Sequence, residues 1–318
     1  MTAPLKIALI GSGSMGKNHA RVIAAGDRTE LAMVIDPDEA AGRRTAELYG
    51  AAWVPEMTGL DEIGAVVVAA PTEYHYGLVQ QVIAAGLPVL VEKPVCPSLE
   101  QTQELVEASA KAGTPLMCGL LERFNPAVQV AMRMVEAPVY VRSTRHSPYA
   151  PRIKTGVAWD LLVHDVDLVV RAFGGRHPEA LDVRAGQFHA SSVPGAEDVV
   201  ETTMGFAGGI ASVSASRLGQ TKVRSMVIQE LDRMIEVDLL RRGLTSYRHS
   251  TIEADEGHSG FRQFTEMEVP EISGVEPLVG QLNHFVDLIE GKVDMDEERA
   301  SILPAHRVVD EVVSLRSA

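Results

Sequence analysis

Ile7-Ala8-Leu9-Ile10-Gly11-Ser12-Gly13-Ser14-Met15-Gly16 sets a short apolar run directly before three closely spaced glycines. A run this short, closed by glycine and followed by an amphipathic segment over about 15–26, reads as a buried strand turning into a helix. In that setting the glycines form a dinucleotide-binding loop. Gly11 makes the tight turn, Gly13 lets the backbone approach a pyrophosphate, and Gly16 permits close packing of helix on strand. Ser12, Ser14 and Met15 complete the loop, where helix N–H groups and the helix dipole attract phosphate. An ordinary glycine-rich turn is the plainer alternative.

The pattern repeats outward from this unit. Further apolar runs at Leu31–Asp36, Ala65–Pro71, Val89–Glu92 and Leu116–Leu121 alternate with amphipathic segments at about 38–49, 74–85 and 98–112. The last of these is opened by Ser98 and closed by Gly113. Such alternation predicts a parallel, doubly wound sheet with helices on both faces. Asp36 ends the second run, 20 residues beyond Gly16. A carboxylate there accepts hydrogen bonds from the adenosine ribose hydroxyls and repels a 2′-phosphate, which predicts NAD over NADP. Asp-Pro is also a common turn starter, and Arg43 and Arg44 lie near enough in sequence to weaken the exclusion.

Beyond Phe124 the rhythm changes. A helix near 126–135, a strand at 139–146 and a loop through Pro151 precede a long helix over about 158–173. Then come β-rich stretches at Leu181–Ala190, Val199–Phe206, Ile210–Leu218, Val223–Leu231, Met234–Leu239 and Phe264–Val269, with Ser250–Gly260 as an exposed loop. Two amphipathic helices, about 276–290 and 298–316, close the chain. Strands in succession predict an open, mainly antiparallel sheet. The expected division is a dinucleotide-binding domain over 1–124 and an α/β domain over 125–318, with the closing helices able to pack back on the first.

The 318 residues exceed what one core usually organises. Twenty-nine Lys and Arg against 43 Asp and Glu give a formal charge of −14, which repels polyanions and argues against nucleic acid. Only Cys96 and Cys118 occur, so neither a disulfide framework nor a metal knuckle is expected. No run is apolar enough for membrane insertion, and no export signal is apparent. A reduced, cytoplasmic setting fits, and no metal site is expected.

Two places carry candidate chemistry. Glu92-Lys93-Pro94 leaves its strand at the carboxyl end, the side of a doubly wound sheet where ligands bind; Lys93 there reaches a substrate or is a solvated loop lysine. In the segment Ala158–Arg171, Asp160, His164, Asp167 and Arg171 fall in one polar stripe at helical spacing, with Asp165 pointing elsewhere. That stripe lines a cleft, or it is a buried structural Asp–His pair. Under the cleft reading, His164 suits a general base that removes a hydroxyl proton while hydride leaves the same carbon. Asp160 orients the imidazole or binds an adjacent hydroxyl, and Lys93 stabilises the developing alkoxide.

These residues, with Ala-Ala-Pro-Thr-Glu-Tyr-His at 69–75, resemble the Gfo/Idh/MocA family. The resemblance implies a catalytic set of Lys93, Asp160 and His164. It implies a cofactor site that adds Pro71, Thr72, His75, Glu92 and Lys93 to the glycine loop and Asp36. It also implies a Rossmann domain over 1–124, a domain over 125–318 for substrate binding and oligomerisation, sugar or cyclitol substrates, and a homodimer or homotetramer.

A finer likeness to the branch that oxidises the C3 hydroxyl of UDP-N-acetylglucosamine rests on Glu122-Arg123-Phe124-Asn125-Pro126, Arg145, Ser147-Pro148, Arg152 and Gly156-Val157. It implies substrate contacts at Arg123, Asn125, Arg145, Arg152 and Asp160. Trp159, where a smaller aliphatic residue is expected, reshapes that pocket. Arg123, Arg145, Arg152 and Lys154 are candidate phosphate or sugar ligands; ion pairing for Arg123 and solvated loop charges for the others are the alternatives. The competing functions are a ketosugar reductase, a free sugar or inositol dehydrogenase, and a non-catalytic NAD-binding regulator.

Overall fold

The computed structural model describes residues 3–151, 153–253 and 261–316. Its chain divides into two compact units, residues 1–121 with 276–307 and residues 122–275 with 308–318.

In the first unit, strands β1 (Leu5–Ile10), β2 (Thr29–Ile35), β3 (Ala52–Val54), β4 (Ala65–Val68), β5 (Val89–Glu92) and β6 (Leu116–Gly119) form one parallel sheet in the order β3-β2-β1-β4-β5-β6. This is the strand order of a doubly wound dinucleotide-binding fold. Helices α1 (Ser14–Ala25), α2 (Glu39–Tyr49), α3 (His75–Ala84) and α4 (Leu99–Ala112) make the connections. Ile7, Ala8, Leu9 and the whole of β4 are fully buried, as strands covered on both faces must be. The sequence reading missed β3, an edge strand of three residues, too short to show a period. Ser98 caps α4 by accepting from the Gln101 N–H, and Gly113 ends it in the left-handed region.

The second unit is an eight-stranded sheet ordered β14-β13-β12-β11-β7-β10-β9-β8. Its strands are β7 (Tyr140–His146), β8 (Ala180–Gly186), β9 (Val199–Phe206), β10 (Gly209–Ser216), β11 (Val223–Gln229), β12 (Met234–Asp238), β13 (Gly243–Glu253) and β14 (Phe261–Glu268). All neighbours pair antiparallel except β7 and β10. Helices α5 (Pro126–Met134) and α6 (Val163–Ala172) belong to this unit. The expected strand Leu181–Ala190 stops at Gly186, because residues 188–189 turn to donate their N–H groups to Asp198. β13 was not expected. Ser250–Glu253, read as loop, are its last residues and pair with β14; residues 254–260 of that expected loop lie outside the described residues.

At the end of the chain, α7 (Pro277–Ile289) is followed by α8 (Met295–Ala300) and α9 (Leu303–Leu315). The single helix expected over 298–316 is thus broken in two. Pro304 explains the break: it lacks an N–H and fits only the first turn of a new helix. Among the described residues, no helix is long and apolar enough to cross a membrane.

Candidate active site

In the first unit the glycine loop is shaped by packing at two of its three glycines. Gly11 has φ +90°, and a Cβ there would stand 2.8 Å from the Ala69 carbonyl oxygen. A Cβ on Gly16 would stand 1.9 Å from the Gly11 carbonyl oxygen. Gly13 is different, since nothing lies within 4 Å of its Cβ position. Protein packing does not demand glycine there, whereas a dinucleotide phosphate brought against the backbone at the start of α1 does. The loop fits such a group.

Asp36 is tied to this loop. Its Oδ2 accepts from the Ser12 N–H at 2.7 Å and the Ser12 hydroxyl at 2.6 Å, and its Oδ1 accepts from the Asp38 N–H at 2.9 Å. The carboxylate therefore does start the Asp-Pro turn, and it also fixes the glycine loop. Oδ1 retains one lone pair for a ribose hydroxyl. Arg43 is exposed, bonded to Glu39 at 2.8 Å and stacked 4.4 Å over the Trp53 ring.

Three histidines brace the Glu-Lys-Pro segment, of which the sequence reading named only His75. The buried Glu92 carboxylate lies 2.7 Å from His19 Nε2. His75 sets Nδ1 3.0 Å from the Pro94 carbonyl oxygen and Nε2 2.9 Å from that of Ala70. The Val95 N–H donates to His306 Nε2 at 3.3 Å. Lys93 is half-buried, and its peptide bond to Pro94 is cis. Pro71 is exposed and Thr72 half-buried in the short turn before α3. His19 and His306 were missed because both act through partners far away in sequence.

In the second unit, the helix carrying Asp160 and His164 starts differently from the expected uniform helix. Residues Ala158–Leu162 form a π turn in which the Val163 N–H reaches the Ala158 carbonyl, and α6 follows. Such turns recur at functional sites. Asp160 and His164 are half-buried, and Arg171 is exposed. Asp167, placed in the same stripe by sequence, is buried and takes Arg123 in a bidentate pair, Nη2 at 2.6 Å and Nε at 2.8 Å. Asp165 is fully buried and accepts from Ser143 Oγ at 2.6 Å and from Arg145 Nε.

The expected substrate cations are accordingly redistributed. Arg145 is no loop charge: it lies on β7, 1% exposed, bonded to Asp165 and, at 2.9 Å, to Glu122. Burial alone would lower its pKa, but the Asp165 and Glu122 charges raise it instead. Asn125 caps α5, accepting from the Ala127 N–H and donating to Glu122 and the Leu239 carbonyl. Trp159 is buried. Lys154 is exposed, and Arg152 lies outside the described residues. Arg123, Asn125 and Arg145 thus each meet buried protein acceptors, although Arg145 Nη2 is buried without a hydrogen-bond partner among the described residues.

Residues 5–120 match the Gfo/Idh/MocA description "Oxidoreductase family, NAD-binding Rossmann fold". The chain carries a Gfo/Idh/MocA-family NAD-binding domain. It is 29% identical over 90% of its length, and 88% of the relative's, to UDP-N-acetylglucosamine 3-dehydrogenase of Acidithiobacillus ferrooxidans. It is 30% identical to inositol 2-dehydrogenase 4 of Saccharopolyspora erythraea, over 65% of this chain and 64% of that one. The solved structure of the Acidithiobacillus enzyme, GnnA, superposes with a TM-score of 0.86 at 24% identity, covering 99% of this chain and 98% of that one. GenD2 from gentamicin A biosynthesis, solved with NAD, superposes with a TM-score of 0.83 at 23% identity, covering 100% and 95%. The matched residues thus carry the NAD-binding Rossmann domain of an oxidoreductase family.

Proposed function

We propose that this Gfo/Idh/MocA protein is an NAD-dependent sugar dehydrogenase that oxidises a secondary ring hydroxyl, with the C3 hydroxyl of UDP-N-acetylglucosamine as the first candidate. The observation that carries this reading is the division of labour among the acids on one helix. Asp165 and Asp167 are buried against Arg145 and Arg123, while Asp160 and His164 remain half-buried. The likeness to the Acidithiobacillus enzyme over 90% of the chain supports the choice of substrate.

In this reading His164 takes the hydroxyl proton, and its neutral imidazole is suited to that transfer near neutral pH. Asp160 orients the imidazole or holds an adjacent hydroxyl. Lys93, on its braced segment, stabilises the alkoxide as it forms. Bound NAD supplies the hydride acceptor.

A second reading, oxidation of a free cyclitol, has its own support. The arginines expected to meet a diphosphate, Arg123 and Arg145, are held by buried carboxylates, and a relative of 30% identity is an inositol 2-dehydrogenase. NADH formation measured with UDP-N-acetylglucosamine, UDP-glucose and myo-inositol, with NAD and NADP in parallel, separates the two. The proposal expects turnover with UDP-N-acetylglucosamine and NAD that His164→Ala lowers by about 10²- to 10⁴-fold. Turnover of myo-inositol alone selects the cyclitol reading, and NAD binding without turnover of any polyol selects the regulator.

A further inference from the structure

In the first unit, histidines grip both polar atoms of one peptide plane, the bond between Pro94 and Val95. Its carbonyl oxygen lies 3.0 Å from His75 Nδ1, and its N–H donates to His306 Nε2 at 3.3 Å. His75 and His306 are both buried, so bulk water is no alternative partner for either peptide group. The tautomer of His306 follows from its other contact. Nδ1 lies 2.8 Å from the Ile302 carbonyl oxygen, which can only accept. The ring proton is therefore on Nδ1, and Nε2 presents the lone pair that the Val95 N–H needs.

His75 has the opposite task, since both of its nitrogens face acceptors. Besides the Pro94 oxygen at Nδ1, the Ala70 carbonyl oxygen lies 2.9 Å from Nε2. A neutral ring with its proton on Nδ1 donates to Pro94, and an imidazolium donates to both carbonyls. The Ala70 end of this bridge lies against the glycine loop: a Cβ on Gly11 would stand 2.8 Å from both the Ala69 oxygen and the Ala70 nitrogen. Lys93 stands between the gripped plane and a second anchor, the buried Glu92 carboxylate 2.7 Å from His19 Nε2. Toward Val95 only Pro94 intervenes, and its ring holds φ at about −65°. The orientation of the Pro94–Val95 plane is thus passed to the Lys93 backbone with little slack.

We infer that His75 and His306 are positioning residues that act through the Pro94–Val95 peptide to hold Lys93 where it stabilises the forming alkoxide. The inference rests on the dehydrogenase reading above, in which Lys93 has that role. The family resemblance places His75 with the cofactor, whereas both of its ring nitrogens here face main-chain carbonyls. Electrostatic stabilisation depends on a donor already aimed when charge develops, and a displacement near 1 Å costs on the order of 10²-fold. A grip on the backbone beside Lys93 is therefore worth rate even though it adds no group to the chemistry.

The test uses the full chain with leucine and glutamine at each histidine, in NADH formation with whichever sugar the parent oxidises and in NAD titration. His75→Leu and His306→Leu are each expected to lower kcat about 10- to 100-fold, with NAD affinity unchanged in His306→Leu. Glutamine, which can donate to the Pro94 carbonyl or accept from the Val95 N–H, should recover part of each loss. On a Lys93→Ala background neither leucine variant should lower kcat further, as for residues acting through one group. An unchanged kcat in either leucine variant, no recovery with glutamine, a full further loss on the Lys93→Ala background, or a fall in NAD affinity matching the fall in kcat overturns the inference. Should a leucine variant fail to fold, asparagine at the same position, too short to reach the peptide, replaces it with the same expectations. If the parent oxidises no sugar, the dehydrogenase reading fails, and the ¹³C resonance of reductively methylated Lys93, assigned by its loss in Lys93→Ala, decides whether the histidines set this side chain. A shift in the leucine variants that glutamine reverses supports the placement; an unmoved resonance, or a shift that glutamine leaves in place, overturns it.

Discussion

Arg145 and Arg224 are register partners on adjacent strands, yet substitution at each is expected to fail in a different way. Removing the Arg145 guanidinium leaves Asp165, fully buried, without its counter-charge, and Glu122 with only Arg224 at 3.6 Å. A broken buried pair costs about 3–5 kcal/mol, because the stranded charge is paid for in full desolvation. Arg145→Met should therefore lose about that much stability in urea unfolding, whereas Arg224→Met, at a part-exposed side chain beyond hydrogen-bond range, should lose about 1 kcal/mol or less. Near-equal losses would contradict this division. Cys96 gives a second prediction at this scale. Burial pushes its thiol from 9.0 up to about 12. Between those values the unfolded thiol ionises and the folded one does not, so stability is full below about pH 9 and falls as pH rises toward about 12. Thermal melts at pH 8 and pH 10.5 should differ less in Cys96→Ala than in the parent chain; an equal difference would remove Cys96 as a cause. Sequence reading singled out Asp160 and His164 as polar residues on an apolar helix, and Arg123 and Arg145 through the family likeness and the cations clustered around the loop. It had no means of pairing them, since Asp167 lies 44 residues from Arg123 and Asp165 lies 20 from Arg145.

One turn of helix separates what a period predicts from what the backbone does at 156–163. Glu197 holds this start of the helix from both its main chain and its side chain. The Val157 N–H donates to its carbonyl at 3.1 Å, the Ala158 N–H donates to Oε1 at 2.9 Å, and Arg316 engages Oε2. Gly156 is required by this contact, because a Cβ there would stand 2.3 Å from the carboxylate oxygens. Gly156→Ala must displace Glu197 and release the Ala158 N–H, shifting the turn on which Asp160 sits. A displacement near 1 Å at reacting groups costs on the order of 10²-fold, so kcat should fall by about that factor at an unchanged KM for NAD. Glu197→Ala should have a similar effect, and the double variant should be no worse than the worse single one, as for two residues acting through one contact. Full additivity would show that they act separately. Periodicity located this helix within a residue or two of its ends, because its apolar positions are local information. The π turn and its clamp depend on Glu197, about forty positions later in the chain, and left no mark in the period. The same limit hid β3 and β13, strands whose pairing partners rather than their own alternation define them.

A boundary drawn where the α/β rhythm stops, at residue 124, lies three residues from the break in the contacts, and it leaves open the return of the closing helices to the first unit. Residues 276–307 belong to the same compact unit as 1–121. Arg28 pairs with Asp287 and Glu290, each at 2.8 Å, and Arg21 pairs with Glu276. Arg299, 5% exposed, donates to the carbonyls of Ser109 and Thr114, and His306 receives the Val95 N–H beside the Glu-Lys-Pro segment. Along α7, Leu278, Leu282, Phe285, Val286 and Leu288 are buried. At about 1.5–3 kcal/mol for each buried apolar side chain, α7 represents on the order of 10 kcal/mol of burial. A domain's whole net stability is about 5–15 kcal/mol. A fragment of residues 1–124 should therefore lack a cooperative thermal transition and bind an apolar dye, despite containing every strand of the parallel sheet and the entire glycine loop. Joining residues 1–121 to 276–307 through a flexible linker should restore the transition, together with NAD binding followed by quenching of intrinsic fluorescence. Cooperative melting and undiminished NAD affinity in the 1–124 fragment would show that the returning helices are ornaments on a self-sufficient sheet, and that the rhythm of the first 124 residues is the domain after all.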